Sequence, residues 1–483
     1  MALPTQAEDF PAWYQEVVRG ADLAENSLAR GTMVIKPYGY AIWEAIRDAL
    51  DWRFKHTDPP HENVYFPLFI PQRLLEREKE HVEGFAPELA VVTHAGGEEL
   101  GEPLVVRPTS ETIIWDTYSR WVQSYRDLPL LYNQWANVVR WELRTRLFLR
   151  TTEFLWQEGH TAHETREEAW DETLRMLDVY RQVAEDVMAV PVHMGRKTAS
   201  ERFPGADETF AIEALMRDRK ALQSGTSHYL GQNFAHAYEV QFLGRDGEQH
   251  YAYATSWGVS TRLVGGLIMA HGDDTGLRLP PAVAPVQVMI VPIPGKTDEE
   301  VGSVQGAVGK LRDAIAARSW RGVPIRVKVD DRDDVRPGYK FADSELRGIP
   351  LRLDLGFRDF EANRITVTRR DTGEKQELGL DAASDAMEGL LDDVQRGLFD
   401  DAAAFREANS HRASTFDELR QLITDAGGFV TGPWCGDATC EAQVKSETKA
   451  TIRFVPLEAQ DPGAPCVVCG RPGVDEATWA IAY

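Results

Sequence analysis

Pro280, Pro281 and Pro285 interrupt the chain between two stretches of different rhythm. Proline lacks the N–H that a helix interior or a central strand needs, so this cluster ends whatever element precedes it. Upstream, helical spacing appears at Phe10, Trp13, Tyr14, Val17 and Val18, and again at Ile42, Ile46, Leu50 and Phe54. A strand is expected over 64–70 and a long helix over 164–188. The alternation Tyr251, Tyr253, Thr255 predicts another strand, and the apolar run over 260–271 a buried helix. Strands dominate the middle of this region, which suits an antiparallel α+β domain. Downstream the order is strand (286–291), helix (298–318), then strands at 325–329, 351–355 and 365–368, which predicts a small α/β sheet. A charged helix over 380–412 opens a compact third region rich in Gly and Cys. The expected division is 1–283, 284–381 and 382–483.

Composition narrows the function classes. No stretch approaches the ~20 apolar residues of a membrane helix. The first ten residues carry neither a basic segment nor an apolar core, so secretion is not expected and a cytoplasmic location is. The net charge of −23 argues against wholesale nucleic-acid binding. Residues 321–370, however, hold twelve Lys and Arg against nine Asp and Glu. A basic island in an acidic chain is compatible with a local RNA contact or with a mixed solvated surface. All four cysteines fall within the last fifty residues, spaced Cys435-x4-Cys440 and Cys466-x2-Cys469. Two knuckles of this kind suit a tetrahedral thiolate metal site, or else buried free thiols.

Two segments point to a bound polyanion. Arg140-Trp141-Glu142 precedes a short loop with Arg144, Arg146 and Arg150. So many guanidiniums in one connector repel one another unless an anion joins them, and Arg matches phosphate in a bidentate way. Phe154, just after the loop, can stack on a base. Arg262 opens the otherwise apolar helix Leu263-Val264-Gly265-Gly266-Leu267-Ile268-Met269. A cation there opposes the helix dipole unless an anion lies between them. Taken singly, the first segment also fits a charged surface hairpin and the second an Arg paired with a Glu. There is no GxxxxGK[ST] loop, so a nucleotide would be held by another device.

The ordered set of segments resembles a known family. Arg140-Trp141-Glu142 with its loop is similar to motif 2 of the class II aminoacyl-tRNA synthetases, and the Arg262 helix to motif 3. Arg107-Pro108-Thr109-Ser110-Glu111-Thr112 lies upstream at the place expected for the class, and the run Phe154–His160, Gly225-Thr226-Ser227-His228 and His271-Gly272-Asp273-Asp274 together resemble the prolyl-tRNA synthetases, in their archaeal/eukaryote-like form. The match covers essentially the whole chain.

The resemblance implies that L-proline's carboxylate attacks the α-phosphate of ATP, bound with Mg2+, and that prolyl-adenylate then acylates the 3′ end of tRNA(Pro). It implies Arg140 and Arg262 as the catalytic pair, at the α- and γ-phosphates. Glu142, Phe154, Gln223, Thr226 and Ser260 are implied around the nucleotide. Thr109 and Glu111 would bind the proline ammonium, Trp156 and His228 its ring. Phe85 and Glu88 resemble a substrate-covering loop. Implied too are an α/β anticodon-binding domain with Glu345, Arg347 and Arg370 as base readers, and a small α/β C-terminal domain whose Cys435, Cys440, Cys466 and Cys469 hold structural Zn2+. The terminal Tyr483 can reach toward the active site in this form, or else be a frayed tail. A homodimer is implied by the class. Between 160 and 256 there is chain for the core alone, so no cis-editing insertion is expected. Alternatives are another class II synthetase for a small amino acid, such as threonine, glycine or serine, and a non-charging RNA-binding paralogue.

Overall fold

The computed structural model describes residues 3–75 and 89–483. Phe85 and Glu88 lie outside the described residues. The first region is organised by a sheet of seven strands: β1 (Glu62–Asn63), β2 (Leu130–Val139), β3 (Glu153–His163), β4 (Val192–Arg196), β5 (Glu208–Leu215), β6 (Ala221–Gly231) and β7 (Tyr253–Ser260). Their order is β1-β2-β3-β7-β6-β5-β4. Every neighbouring pair is antiparallel except β1–β2.

Helices α1 (Gln6–Gly20), α2 (Pro37–Lys55), α3 (Glu111–Trp121), α4 (Arg166–Gln182) and α5 (Arg262–His271) surround the sheet. Thr5 and Glu8 form a capping box at the start of α1, which satisfies otherwise orphaned N–H groups. The residues spaced helically in α1 and α2 are all buried. Helices α2, α4 and α5 share one core with the sheet, in which Phe54, Tyr180, Trp257 and Leu267 meet. Gly159 of β3 pairs with Trp257 of β7. A Cβ there would come within 2.2 Å of the indole, so only glycine lets the ring lie flat across the strand.

The expected strand over 64–70 forms only at its end. β1 ends before it at Asn63, residues 64–68 form no strand, and only its end, within Phe69–Pro71, joins Ala90–Ala95 and Glu98–Val106 in a separate three-stranded sheet. Within 64–68 Pro67 has no N–H, and Phe66 N–H donates to the Gln134 side chain at 2.5 Å. Tyr251 and Tyr253 likewise fall in different strands, Gln249–Tyr251 and β7.

The second region is a five-stranded sheet: β8 (Val288–Pro292), β9 (Val327–Val329), β10 (Leu351–Leu355), β11 (Arg364–Arg369) and β12 (Lys375–Gly379), in the order β9-β8-β10-β11-β12. The first three strands are parallel and the last two antiparallel. Helices α6 (Asp298–Ala316) and α7 (Pro337–Leu346) connect its parallel strands. The long helix α8 (Ala383–Ala408) buries Met387, Leu391, Val394 and Leu398 in this second core.

The third region holds β13 (Ser410–Arg412), β14 (Phe429–Trp434), α9 (Ala438–Thr448), β15 (Thr451–Phe454) and β16 (Asp475–Ala480), with strands in the order β13-β14-β16-β15. It covers the β4 edge of the seven-stranded sheet. Arg196 and Val455 exchange both backbone hydrogen bonds at 2.9 Å each, which hides an edge that would otherwise invite pairing. Among the described residues no helix is long and apolar enough to cross a membrane.

Candidate active site

Strand β3 alternates, so Phe154, Trp156, Glu158 and His160 share one face while Leu155 and Gln157 face the helices. That face forms one wall of a cavity of about 360 Å³. Ser256, Gly258 and Ser260 of β7 supply the floor, and Arg262 follows at the start of α5. In β6 the alternation is interrupted. Between Ile212 and Glu213 the β5–β6 register shifts, pairing Ile212 with Gly225 but Glu213 with Gln223. Ser224 is the extra residue of this bulge. It brings Gln223 to the same side as Thr226 and His228, and all three line the cavity.

Thr109 and Glu111 enter from the start of α3, and Arg140 from the end of β2. The cavity therefore gathers Thr109, Glu111, Arg140, Phe154, Trp156, Gln223, Thr226, His228, Ser260 and Arg262. Glu142 lies in an adjoining cleft of about 160 Å³ that shares Arg140, Phe154, Ser260 and Arg262.

Arg140 donates from Nε to the Pro108 carbonyl at 3.0 Å. Its guanidinium sits 5.2 Å from the Trp156 ring centre and 5.6 Å from that of Phe154. Arg262 donates from Nε to the Leu149 carbonyl at 3.2 Å. Burial, reinforced by the Arg150 and Arg140 charges, pulls the Arg262 guanidinium down to about 10, so it stays cationic at neutral pH. The pair thus makes a strongly positive end, where an anion would relieve mutual repulsion.

The opposite end is acidic. Thr109 Oγ1 donates to Glu111. Glu158 accepts the backbone N–H of Ser110 at 3.1 Å, the Ser110 hydroxyl at 2.5 Å and Gln134 Nε2 at 2.7 Å, and meets His160 Nε2 at 3.0 Å. Burial disfavours a charged His160, but Glu111 and Glu158 outweigh it and hold the imidazole above its usual pKa. Beside them, His228 Nδ1 meets Thr209 Oγ1 at 3.0 Å, and its ring stacks on Phe203 with centres 4.5 Å apart. Burial, with the His160 charge, depresses His228 to about 3. His228 is a neutral, aromatic wall at working pH.

Glu158, His160, Phe203 and Ser256 also line the cavity, and the family resemblance implies no role for them. The even-numbered alternation along β3 was a signal for the first two. Phe203 carries none, because it enters from a connector. Arg107 does not reach the cavity: it donates to the Asn137 and Phe66 carbonyls at 2.8 and 2.7 Å and anchors the segment that carries Thr109 and Glu111.

The three candidate base readers lie at the junction of the first two regions. Arg370 pairs with both carboxylate oxygens of Asp273 at 2.7 Å. The Arg347 guanidinium lies 5.4 Å from the Tyr38 ring centre, and Glu345 accepts from Arg352 at 3.1 Å. Tyr483 is anchored rather than frayed. Its hydroxyl donates to Asp218 at 2.6 Å, and Arg146 of the arginine-rich loop lies 6.0 Å from its ring centre.

Cys435, Cys440, Cys466 and Cys469 converge, with all four Sγ atoms within 4.8 Å of one another. Cys435 Sγ lies 3.6 Å from both Cys440 Sγ and Cys469 Sγ. Arg471 Nε donates to Cys469 at 3.3 Å and brings that thiol down to about 6.

The tRNA synthetase class II core domain (G, H, P, S and T) matches residues 93–271, and an anticodon binding domain matches 287–390. The C-terminal domain of prolyl-tRNA synthetase matches 416–483. Among full-length relatives, the proline–tRNA ligase of Porphyromonas gingivalis is 52% identical, over 100% of this chain and 99% of its own length. That of Chlorobium phaeobacteroides is 54% identical over 99% of this chain and 98% of its own. That of Salinibacter ruber is 52% identical over 100% and 99%. The chain belongs to the proline–tRNA ligase family of class II aminoacyl-tRNA synthetases.

Proposed function

We infer that this enzyme activates L-proline with ATP and transfers it to tRNA(Pro). The observation that carries the reading is the polarity of one cavity: an acid and a hydroxyl at one end, aromatic walls between, and two arginines at the other. Thr109 and Glu111 offer two acceptors to a secondary ammonium. Trp156, Phe203 and neutral His228 bound a space for a compact apolar ring. Arg140, whose Nε donates to the Pro108 carbonyl next to Thr109, is the arginine that reaches both the substrate carboxylate and the α-phosphate. The carboxylate oxygen attacks that phosphorus, the bond to the bridging oxygen breaks, and pyrophosphate leaves. Arg262 holds the γ-phosphate end, Phe154 flanks adenine, and Gln223, Thr226, Ser260 and Glu142 complete the nucleotide contacts. The protein contributes positioning and charge neutralisation. Mg2+ enters with ATP and shields its phosphates.

A tetrahedral zinc thiolate with Zn–S of about 2.3 Å needs S···S of about 3.8 Å. The spacing at Cys435, Cys440 and Cys469 fits it, and four thiolates leave no open position, so the proposed zinc is structural. The chain is proposed to act as a cytoplasmic homodimer. The units proposed are 1–283, 284–381 and 382–483, with α8 spanning the last two by packing on the second core. Glu345, 44% exposed at its side chain, is the freest of the proposed anticodon readers, whereas Arg370 is held by Asp273.

The test is amino-acid-dependent ATP–pyrophosphate exchange with each of the twenty amino acids. Exchange with proline, abolished by Arg140→Ala, is expected. Exchange with threonine or serine and none with proline overturns the specificity, and survival of activity in Arg140→Ala overturns the role of that arginine.

A further inference from the structure

The cavity wall made by Glu201, Arg202, Phe203 and Pro204 is a connector with no strand or α-helix of its own. Such a segment is held in place only by what grips it. The grip comes from the C-terminal domain. Glu441 of α9 is 5% exposed, and a carboxylate so buried needs hydrogen-bond donors. It takes them from this connector: Thr198 Oγ1 donates to Oε1 at 3.0 Å, and the Ser200 hydroxyl donates to Oε2. Thr198 immediately precedes the single turn Ala199–Glu201 that leads into the cavity wall, and Ser200 lies within it. The turn is closed by Glu201 N–H donating to the Thr198 carbonyl at 3.1 Å.

A second grip acts one residue earlier. Lys197 Nζ donates to Glu213 and to the Arg453 carbonyl, both at 2.6 Å. Arg453, again from the C-terminal domain, donates to the same Glu213 carboxylate at 2.8 Å. At the far end the connector meets the pocket directly. Phe203 N–H donates to Thr209 Oγ1 at 3.1 Å, the same hydroxyl that meets His228 Nδ1.

We propose that Glu441 is a positioning residue for the amino-acid pocket: from the C-terminal domain it clasps Thr198 and Ser200 and so sets where Phe203 stands against His228. The proposal rests on the proline reading above. It assigns the C-terminal domain a part in substrate binding, although none of its residues lines the cavity.

The test uses the full chain with Glu441→Ala, Glu441→Gln and, from the other side of the contact, Thr198→Val. Two readouts are taken on protein with wild-type circular dichroism: amide hydrogen exchange over residues 198–209, and KM for proline, KM for ATP and kcat in pyrophosphate exchange. In Glu441→Ala the amides of 201–203 should exchange faster, and KM for proline should rise about tenfold while kcat and KM for ATP stay within about twofold. Glu441→Gln keeps the length and one carbonyl acceptor, so most of the proline KM should return. Thr198→Val should follow Glu441→Ala in direction, and decides the matter if Glu441→Ala fails to fold. Unchanged protection over 198–204, an unchanged proline KM, or a parallel fall in every parameter overturns the proposal. If the wild-type chain shows no proline-dependent exchange, the functional reading fails, and the hydrogen-exchange arm still decides the clasp.

Discussion

Glu158 accepts both the backbone N–H and the hydroxyl of Ser110, at 3.1 and 2.5 Å. One carboxylate in the middle of β3 thereby ties down the turn between Thr109 and Glu111, the two groups proposed to receive the substrate ammonium. Its other contacts, Gln134 and His160, are buried as well.

Removing that carboxylate should cost stability and substrate affinity together. Glu158→Ala leaves several buried donors without an acceptor, which is expected to destabilise the fold by roughly 3 kcal/mol. Urea unfolding measures this, and a change below about 0.5 kcal/mol would contradict the network. In pyrophosphate exchange, KM for proline should rise more than KM for ATP, because Ser110 adjoins the ammonium end and not the phosphate end.

Acid should destabilise the protein through histidines that fold neutral. Burial depresses His163 to about 4 and His228 and His271 to about 3. Between those values and the ordinary histidine pKa the unfolded chain binds more protons than the native one. Stability therefore rises with pH across that window and is lost as pH falls from about 6.5 towards 4. Each group contributes at most about 1.4 kcal/mol per pH unit. Thermal midpoints measured from pH 7 to 4.5 should fall, and His271→Gln should make the slope shallower. His160 works in the opposite sense. Its pKa is raised, so what it contributes is present at low pH and fades as pH rises through its folded pKa.

Metal removal should be felt in folding before chemistry. Elemental analysis should find one zinc per chain in purified protein. Cys435→Ser or a strong chelator should lower the thermal midpoint by several degrees. At a temperature where the chain remains folded, kcat in pyrophosphate exchange should hold. A selective loss of exchange in folded, zinc-free protein would contradict a purely structural metal.

Much of the architecture was legible because it is written locally. The spacing in α1 and α2 is a repeat of three and four residues, and each residue it picks out is buried. The Pro280–Pro281 joint separates two sheets of different type. Long-range relations left less trace. The strand expected over 64–70 failed because its N–H groups serve partners elsewhere, Gln134 among them. Parity alone would have put Gln223 and Thr226 on opposite faces, and the bulge at Ser224 is visible only once β5 lies beside β6.

The amino-acid sequence by itself picked out the residues proposed to carry the chemistry: Arg140 and Arg262 as cations in costly places, Thr109 and Glu111 by the family motif they match, and four cysteines at knuckle spacing. Those follow from side-chain chemistry and near-neighbour order. Only the tertiary structure decided that Arg140, Arg262, Thr109 and Glu111 line one cavity while the cysteines gather apart from it, that His228 stays uncharged there, and that Glu441 grips a connector 243 positions earlier at Thr198. Burial and charge environment are set by whichever distant segments pack together, and local sequence does not encode that packing.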